Sequence, residues 1–293
     1  MKNKSHLKHN PINHFRRKLQ LVTVLVSALS FSQFSLAGAW VSGEGNGYGK
    51  LSYSDYNADE FKGDNADFGE FNGRNITYYG EYGIGNNLAI YGSVLYQRLD
   101  QSDASGNQIT SNGLGDAEIG VRYQWQADPF VFSTSLLAKL PYLYDENDAL
   151  PRGSGQEDFE LRFLIGKSLY PYGYIGVEAG YRLRTGEASD EYRYLLEYGV
   201  DINENVYFRT KLDGIKSAKN ADEIAGGNAT VGNLSLAPEF DLGKLELTLG
   251  YNFGEYNKNI PSRWGVELTY TQEIYGKNSL QGDTIQLALT RVF

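Results

Sequence analysis

Glu118, Glu160, Glu178 and Glu197 each stand two or four residues from an arginine: Arg122, Arg162, Arg182 and Arg184, and Arg193. Even spacings place side chains on one face of a β-strand. Carboxylates gathered in this way could share acid–base work. They could instead compensate the arginines within a confined interior, where an unpaired charge is costly. Lys139, Arg209 and Lys211 fall on polar positions of the same kind. The remaining composition favours compensation over catalysis. The chain has no cysteine, and its three histidines (His6, His9, His14) and single methionine (Met1) all lie in the first fourteen residues.

Those residues belong to a segment with its own pattern. Lys2, Lys4, Lys8, Arg16, Arg17 and Lys18 precede the apolar run "LQLVTVLVSALSFSQFSLA", and small residues follow at Ala37, Gly38 and Ala39. A basic head, a short apolar core and a small-residue exit describe a secretory signal peptide, expected here over 1–37. Ser27, Ser30, Ser32, Gln33 and Ser35 in the run argue against a membrane-spanning helix. The expected mature part, 38–293, then has 21 basic against 36 acidic residues, a net charge of −15. It contains no Cys, His or Met. Disulfides, thiol chemistry and imidazole or sulfur metal ligands are excluded, and so is the usual general base. No catalytic residue, metal or cofactor is expected. An acidic surface also disfavours nucleic acid as a partner.

The elements that position these charges have a period of two. "AEIGVRYQWQ" sets Ala117, Ile119, Val121, Tyr123 and Trp125 against Glu118, Gly120, Arg122 and two glutamines. Phe159, Leu161, Phe163 and Ile165 oppose Glu160 and Arg162, and the segments from Tyr174 and Tyr192 split alike. Further candidates are Tyr48–Tyr56, Asn75–Ile84, Leu88–Leu99, Phe130–Tyr142, Val206–Asp213, Leu234–Leu242, Leu245–Phe253, Trp264–Ile274 and the closing Asp283–Phe293. Each has about the ten residues that a tilted transmembrane strand requires. Short turns ("GIGNN", "QADP", "YPYG", "NEN") alternate with long polar loops at 57–73, 102–115, 143–156 and 215–232. Aromatics near strand ends (Trp125, Phe130, Tyr142, Tyr170, Tyr174, Tyr192, Trp264) suggest interfacial girdles. A soluble sandwich shares the period but not this combination of strand length, loop alternation and girdle. The reading is an all-β fold: a transmembrane antiparallel up-and-down β-barrel of about twelve strands in the Gram-negative outer membrane.

The count imposes a constraint. Thirteen candidate segments would leave the two ends of the chain on opposite sides of the membrane, whereas an even number is required. The excess is expected within 233–274, where "GK" (243–244) reads as a tight turn and one arm as part of a loop hairpin. Phe293, the aromatic end of the closing strand, is the expected signal to the barrel assembly machinery. Arg291 departs from the apolar residue expected two places before it, although its long stem can snorkel to the rim.

Other motifs carry less. "GEGNGYG" (43–49) follows no strand and opens no helix, so it is not a phosphate loop. Asp55, Asp59, Glu60, Asp64, Asp67 and Glu70, with Asp145, Glu146, Asp148, Glu157 and Asp158, read as a solvated outer rim without EF-hand spacing.

"NGLGDAEIGVRYQW" (112–125) and "YGEYGIGNNLAIYG" (79–92) resemble the outer-membrane barrels of the phenol meta-pathway degradation type. The opening "GAWVSGEGNGYGKLSYSDYNADEF" and the later "IYGKNSLQGD" are similar to a branch found beside exopolysaccharide and surface-attachment genes. The resemblance covers 38–293 and implies a barrel of about twelve strands, loosely described as a transporter. It implies no substrate and no binding residues.

Two functions follow as expectations. One is a channel or accessory transporter for a small solute, lined by Glu118, Arg122, Lys139, Glu160, Arg162, Glu178, Arg182, Arg184, Arg193, Glu197, Arg209 and Lys211. The other is a non-conducting surface barrel that supports exopolysaccharide retention or biofilm attachment through its loops. Expected partners are outer-membrane lipid and lipopolysaccharide, the assembly machinery, and a small solute or polysaccharide.

Overall fold

The computed structural model describes residues 38–63, 68–145, 148, 150–186, 188–221, 239–253 and 263–293. The expected signal peptide at 1–37 lies outside the described residues. So do most of Leu234–Leu242 and the acidic positions Asp64, Asp67 and Glu146.

Twelve antiparallel strands form the sheet: β1 (Gly47–Lys62), β2 (Phe68–Gly85), β3 (Leu88–Asp103), β4 (Gln108–Gln126), β5 (Val131–Leu140), β6 (Asp158–Ser168), β7 (Tyr174–Arg184), β8 (Glu191–Asp201), β9 (Val206–Ser217), β10 (Asp241–Asn252), β11 (Arg263–Lys277) and β12 (Ser279–Val292). Each pairs with its neighbours in sequence, and β1 pairs with β12, so the sheet closes on itself. Closure runs from Tyr48↔Val292 to Lys62↔Ser279. It is capped by mutual backbone hydrogen bonds between Gly47 and Phe293, at 2.6 and 3.0 Å. Both ends of the barrel wall therefore meet on one rim, as an even strand count requires.

The count of twelve comes about differently from the expected hairpin. "GK" is not a turn. Gly243 and Lys244 lie within β10, and the register shift there against β11 leaves Ile274 as an extra residue. A β-bulge absorbs the change of phase that looked like a chain reversal.

Two of the expected long loops are also mostly strand. β1 and β2 run through 57–62 and 68–73, and β3 and β4 extend to Asp103 and from Gln108. Charged side chains hid the alternation in these segments, because above the bilayer neither face needs to be apolar. β1 to β4 have 16, 18, 16 and 19 residues, whereas β5 to β8 have 10 or 11. At about 3.3 Å per residue, the long wall projects roughly 20 Å beyond the short one. The described residues of the 143–156 segment form no strand. They turn back over the barrel, where Leu150 is buried and Arg152 binds Ser111 and the Leu114 carbonyl of β4.

The outer surface carries a belt of exposed apolar side chains. Leu51, Ile76, Ile119, Leu161, Leu249 and Leu287 are each at least 41% exposed, a pattern that only a lipid environment satisfies. Trp125, Phe130, Tyr170, Trp264 and Phe293 stand exposed near the short-turn rim. Arg291 lies with its guanidinium 5.0 Å from the Trp264 ring and 5.8 Å from that of Phe293, so a charge two places from the end is held at the interface by cation–π contact. Tyr174, expected in the girdle, instead points inward and donates to Glu197 at 2.5 Å.

Glycines make room for interior tyrosines. A Cβ on Gly250 would lie 2.0 Å from the Tyr207 ring, and one on Gly120 would lie 2.4 Å from that of Tyr91. G250V must push Tyr207 off its place over β10. It is expected to destabilise the barrel by about 1–3 kcal/mol, read as a lower midpoint of denaturant unfolding in detergent micelles.

On the long-loop rim, Asp190 joins two connections. Its carboxylate accepts from the Arg184 amide at 2.9 Å and from the Tyr181 hydroxyl and Asn220 amide at 2.8 Å. Burial pushes this carboxyl up, but those hydrogen bonds outweigh it and hold the group below its ordinary range. A depressed carboxyl stabilises above the unfolded value, about 3.9, and loses that contribution as pH falls through its folded value. Hydrogen exchange of the Arg184 and Ala218 amides, corrected for intrinsic rate, should therefore accelerate below about pH 4. In D190N this acceleration should be absent.

Candidate functional site: the barrel lumen

Alternation decides what enters the lumen. Along β6, Phe159, Leu161, Phe163 and Ile165 are exposed, whereas Asp158, Glu160 and Leu164 are buried on the opposite side. Contacts between non-neighbouring strands confirm which side is interior. Arg182 on β7 reaches Glu118 on β4 at 3.3 Å, and Lys50 on β1 reaches Glu267 on β11 at 2.6 Å. Such chords can run only through the lumen.

All twelve residues singled out in the sequence occupy this inner face. Glu118 and Arg122 are on β4, Lys139 on β5, and Glu160 and Arg162 on β6. Glu178, Arg182 and Arg184 are on β7, Arg193 and Glu197 on β8, and Arg209 and Lys211 on β9.

The first set is built around Glu160. It receives Arg162 at 2.5 Å, Arg182 at 2.8 Å and Arg193 at 3.7 Å. Arg162 also holds Glu178 at 2.6 Å, and Arg193 holds Glu191 at 2.8 Å. Asp158 draws in Lys139 at 2.6 Å, Arg182 at 3.6 Å and Arg184 at 3.9 Å. Asp158 is thus no rim loop residue, as the sequence suggested, but a fully buried lumen anion on the first position of β6.

The second set centres on Glu267. It accepts from Lys50 and from the Tyr207 hydroxyl, both at 2.6 Å, and faces Arg209 at 3.5 Å. Lys211 bridges Glu197 at 3.7 Å and Glu246 at 3.4 Å. Arg122 stands apart, paired with Glu81 at 2.9 Å and stacked 5.0 Å from the Tyr91 ring.

Lys50, Glu81, Asp158, Glu191, Lys244, Glu246, Glu267 and Glu273 were not singled out beforehand. Most were legible by parity: in "WGVELTY" the exposed Trp264, Val266, Leu268 and Tyr270 put Glu267 inside. Asp158 was not, because it sits where a strand starts and the period is short; Lys244 shares the parity of Glu246 but was read as part of a turn.

A segment before β1 occupies the short-turn end of the lumen. Ala39 packs among Val131, Leu164 and Trp40, and its carbonyl accepts from Ser133 at 2.5 Å. Trp40 meets the Tyr174 ring edge-on at 5.9 Å, and Val41 donates to Gln124 at 3.1 Å. Each of these wall residues faces inward. At the other end, a cavity of about 470 Å³ lies between the inner faces of β1 to β3 and β10 to β12 and the 150–153 part of the β5–β6 loop. Among the described residues, the lumen is therefore narrowed below, cross-linked by charge in the middle and hollow above.

No protein-family profile matches the chain, and no curated protein sequence matches it. Solved structures do. An outer membrane channel from Pseudomonas putida F1 superposes with a TM-score of 0.64 at 12% identity, covering 86% of this chain and 97% of that one. The translocator domain of the autotransporter NalP from Neisseria meningitidis gives 0.51 at 12%, covering 96% and 98%. The NanC porin gives 0.50 at 10%, covering 82% and 98%. At such identities the likeness is one of fold, which is that of outer-membrane β-barrels.

Glu267 has a side chain with no exposed area and two cationic partners. E267A leaves Lys50 uncompensated and Arg209 with only Glu246 at 4.0 Å, and the expected loss is about 3–5 kcal/mol of unfolding free energy, measured by denaturant titration of the refolded barrel.

Proposed function

We propose that this protein is a channel or accessory transporter for a small solute in the bacterial outer membrane. The observation that carries the reading is the unfilled cavity inside a closed barrel whose outer face carries a belt of exposed apolar side chains. A barrel that served only as a wall or anchor would gain by packing that volume with side chains, since empty space forfeits contact energy. Within this reading the twelve inward Glu, Arg and Lys residues line the pore. They carry eight positive and four negative charges, and only with Lys50, Lys244, Glu81, Asp158, Glu191, Glu246, Glu267 and Glu273 does the lumen reach ten of each sign, which gives a weak intrinsic preference for ion sign. Phe293, hydrogen-bonded to Gly47 on the seam of the barrel, is proposed as the assembly signal. Lipopolysaccharide meets the projecting β1–β4 wall. The resemblance of "NGLGDAEIGVRYQW" to the phenol meta-pathway barrels agrees with transport rather than catalysis.

The second reading, a non-conducting surface barrel for polysaccharide retention, draws on the Gly38–Asn46 segment within the lumen and on the depth of charge pairing. Planar-bilayer recordings separate the two. A channel gives stable current steps from the purified barrel; silence across many insertions would sink the channel reading. Lys211 is among the less buried lumen cations, and K211E should shift the reversal potential in a salt gradient toward cation preference. An unmoved reversal potential would remove Lys211 from the conduction path.

A further inference from the structure

The loop-side cavity has an uneven chemistry. Tyr56, Phe71, Leu95, Leu99, Leu242 and Leu280 contribute apolar surface, while Pro151 and Phe240 reach in from the connecting loops. At about 470 Å³ it falls within the size range of small-molecule sites. Such sites combine an apolar body with a few polar groups that fix orientation.

The charged groups in its wall differ in how far they are satisfied. Arg152 is fully engaged, with Asp148 at 3.0 Å, Ser111 at 2.7 Å and the Leu114 carbonyl at 3.2 Å. Asp116 accepts from the Tyr144 hydroxyl at 2.7 Å and from Ser154 at 3.4 Å. Glu273 has one oxygen taken by the Tyr56 hydroxyl at 2.8 Å and the Gly282 amide at 3.0 Å. Lys244 is the exception. Its ammonium approaches Glu273 only to 3.7 Å, its side chain is 40% exposed, and among the described residues it makes no hydrogen bond. An ammonium has three donors to satisfy. Beside Lys244 the β11 strand is bulged, with Ile274 as the extra residue. In the same wall, the buried Oδ1 of Asn75 has no hydrogen-bond partner among the described residues, an acceptor awaiting a donor.

We infer that this cavity binds a small amphipathic carboxylate, with its head at the Lys244 ammonium and its apolar body against the leucine and aromatic wall. A hydroxyl elsewhere on the ligand would donate to Asn75. The inference deepens the channel reading by naming a solute class, and it rests on that reading only for the purpose of the binding.

The test compares 6-hydroxy-2-naphthoate with 2-naphthol, which share a ring and hydroxyl and differ in the carboxylate. Both are dialysed to equilibrium against the intact barrel in an uncharged maltoside detergent, with protein-free micelles subtracted. Loss of one charge-assisted hydrogen bond corresponds to about tenfold in affinity. The wild-type barrel should bind the acid about tenfold more tightly than the naphthol, K244Q should abolish that preference, and K244R should restore it. Equal binding of the two probes, or a preference that survives K244Q, overturns the inference. Heat-modifiable electrophoretic mobility verifies that each variant is folded, and K244R keeps the test decisive if K244Q is not. Because dialysis involves no transport, a barrel that binds the acid but carries no current loses only the channel reading. One that conducts without distinguishing the probes loses only this inference.

Discussion

Closure of the sheet is the constraint on which everything else depends. Hydrocarbon offers no partner to an exposed N–H or C=O, so a strand can cross it only if both edges are paired. Here the last edges to be satisfied are those of β1 and β12, joined along fourteen pairs with one bulge near the top. Once the sheet is closed, every strand has one face in lipid and one in the lumen. The period of two is thereby converted into two environments of opposite polarity.

That division explains why so much charge can be buried. A carboxylate such as Glu160 sits with three arginines around it because the lumen is the only side of each strand where charge is tolerated. Strand pairing then sets the partners. Glu160↔Arg182 are direct cross-strand neighbours, and Arg162 stands two residues along on the same face. Arginine suits this role because its planar fork can serve several carboxylates at once. The pairs tie strands together through the middle of the barrel, beyond what the backbone ladder provides.

The loop-side half of the lumen follows another logic. Its wall rises on the long β1–β4 strands, its roof comes from a loop that folds back over β4, and its charges are fewer and less completely paired. Bulges mark the change, one between β3 and β4 opposite Gly115 and Asp116, the other at Gly243 and Lys244. Each disturbs the ladder locally. Lys244 itself points inward by the regular alternation of β10, on the same parity as Glu246 and Thr248.

By itself, the sequence determined the fold class, the apolar outer face and the inward placement of Glu118 to Lys211. All of these depend only on a period of two and on which residue types lipid accepts. "AEIGVRYQWQ" allows one phase alone, because Ile119, Val121 and Tyr123 cannot face a charged lumen while Glu118 and Arg122 face lipid. The even strand count was also legible, as a consequence of both ends meeting on one rim. What only the tertiary structure decided were features that break the period or connect distant parts. The "GK" bulge and the strand extensions at 57–62 and 108–115 leave no alternating trace, whereas the inward aim of Tyr174 follows the parity of Glu178 and was overridden only by its place near a strand end. The partners of Glu267 come from β1 and β9, 217 and 58 residues away in sequence for Lys50 and Arg209. The cavity arises where those same strands, a returning loop and a shifted register happen to converge. Local polarity can state which face a residue takes, but only closure of the barrel states what it meets there.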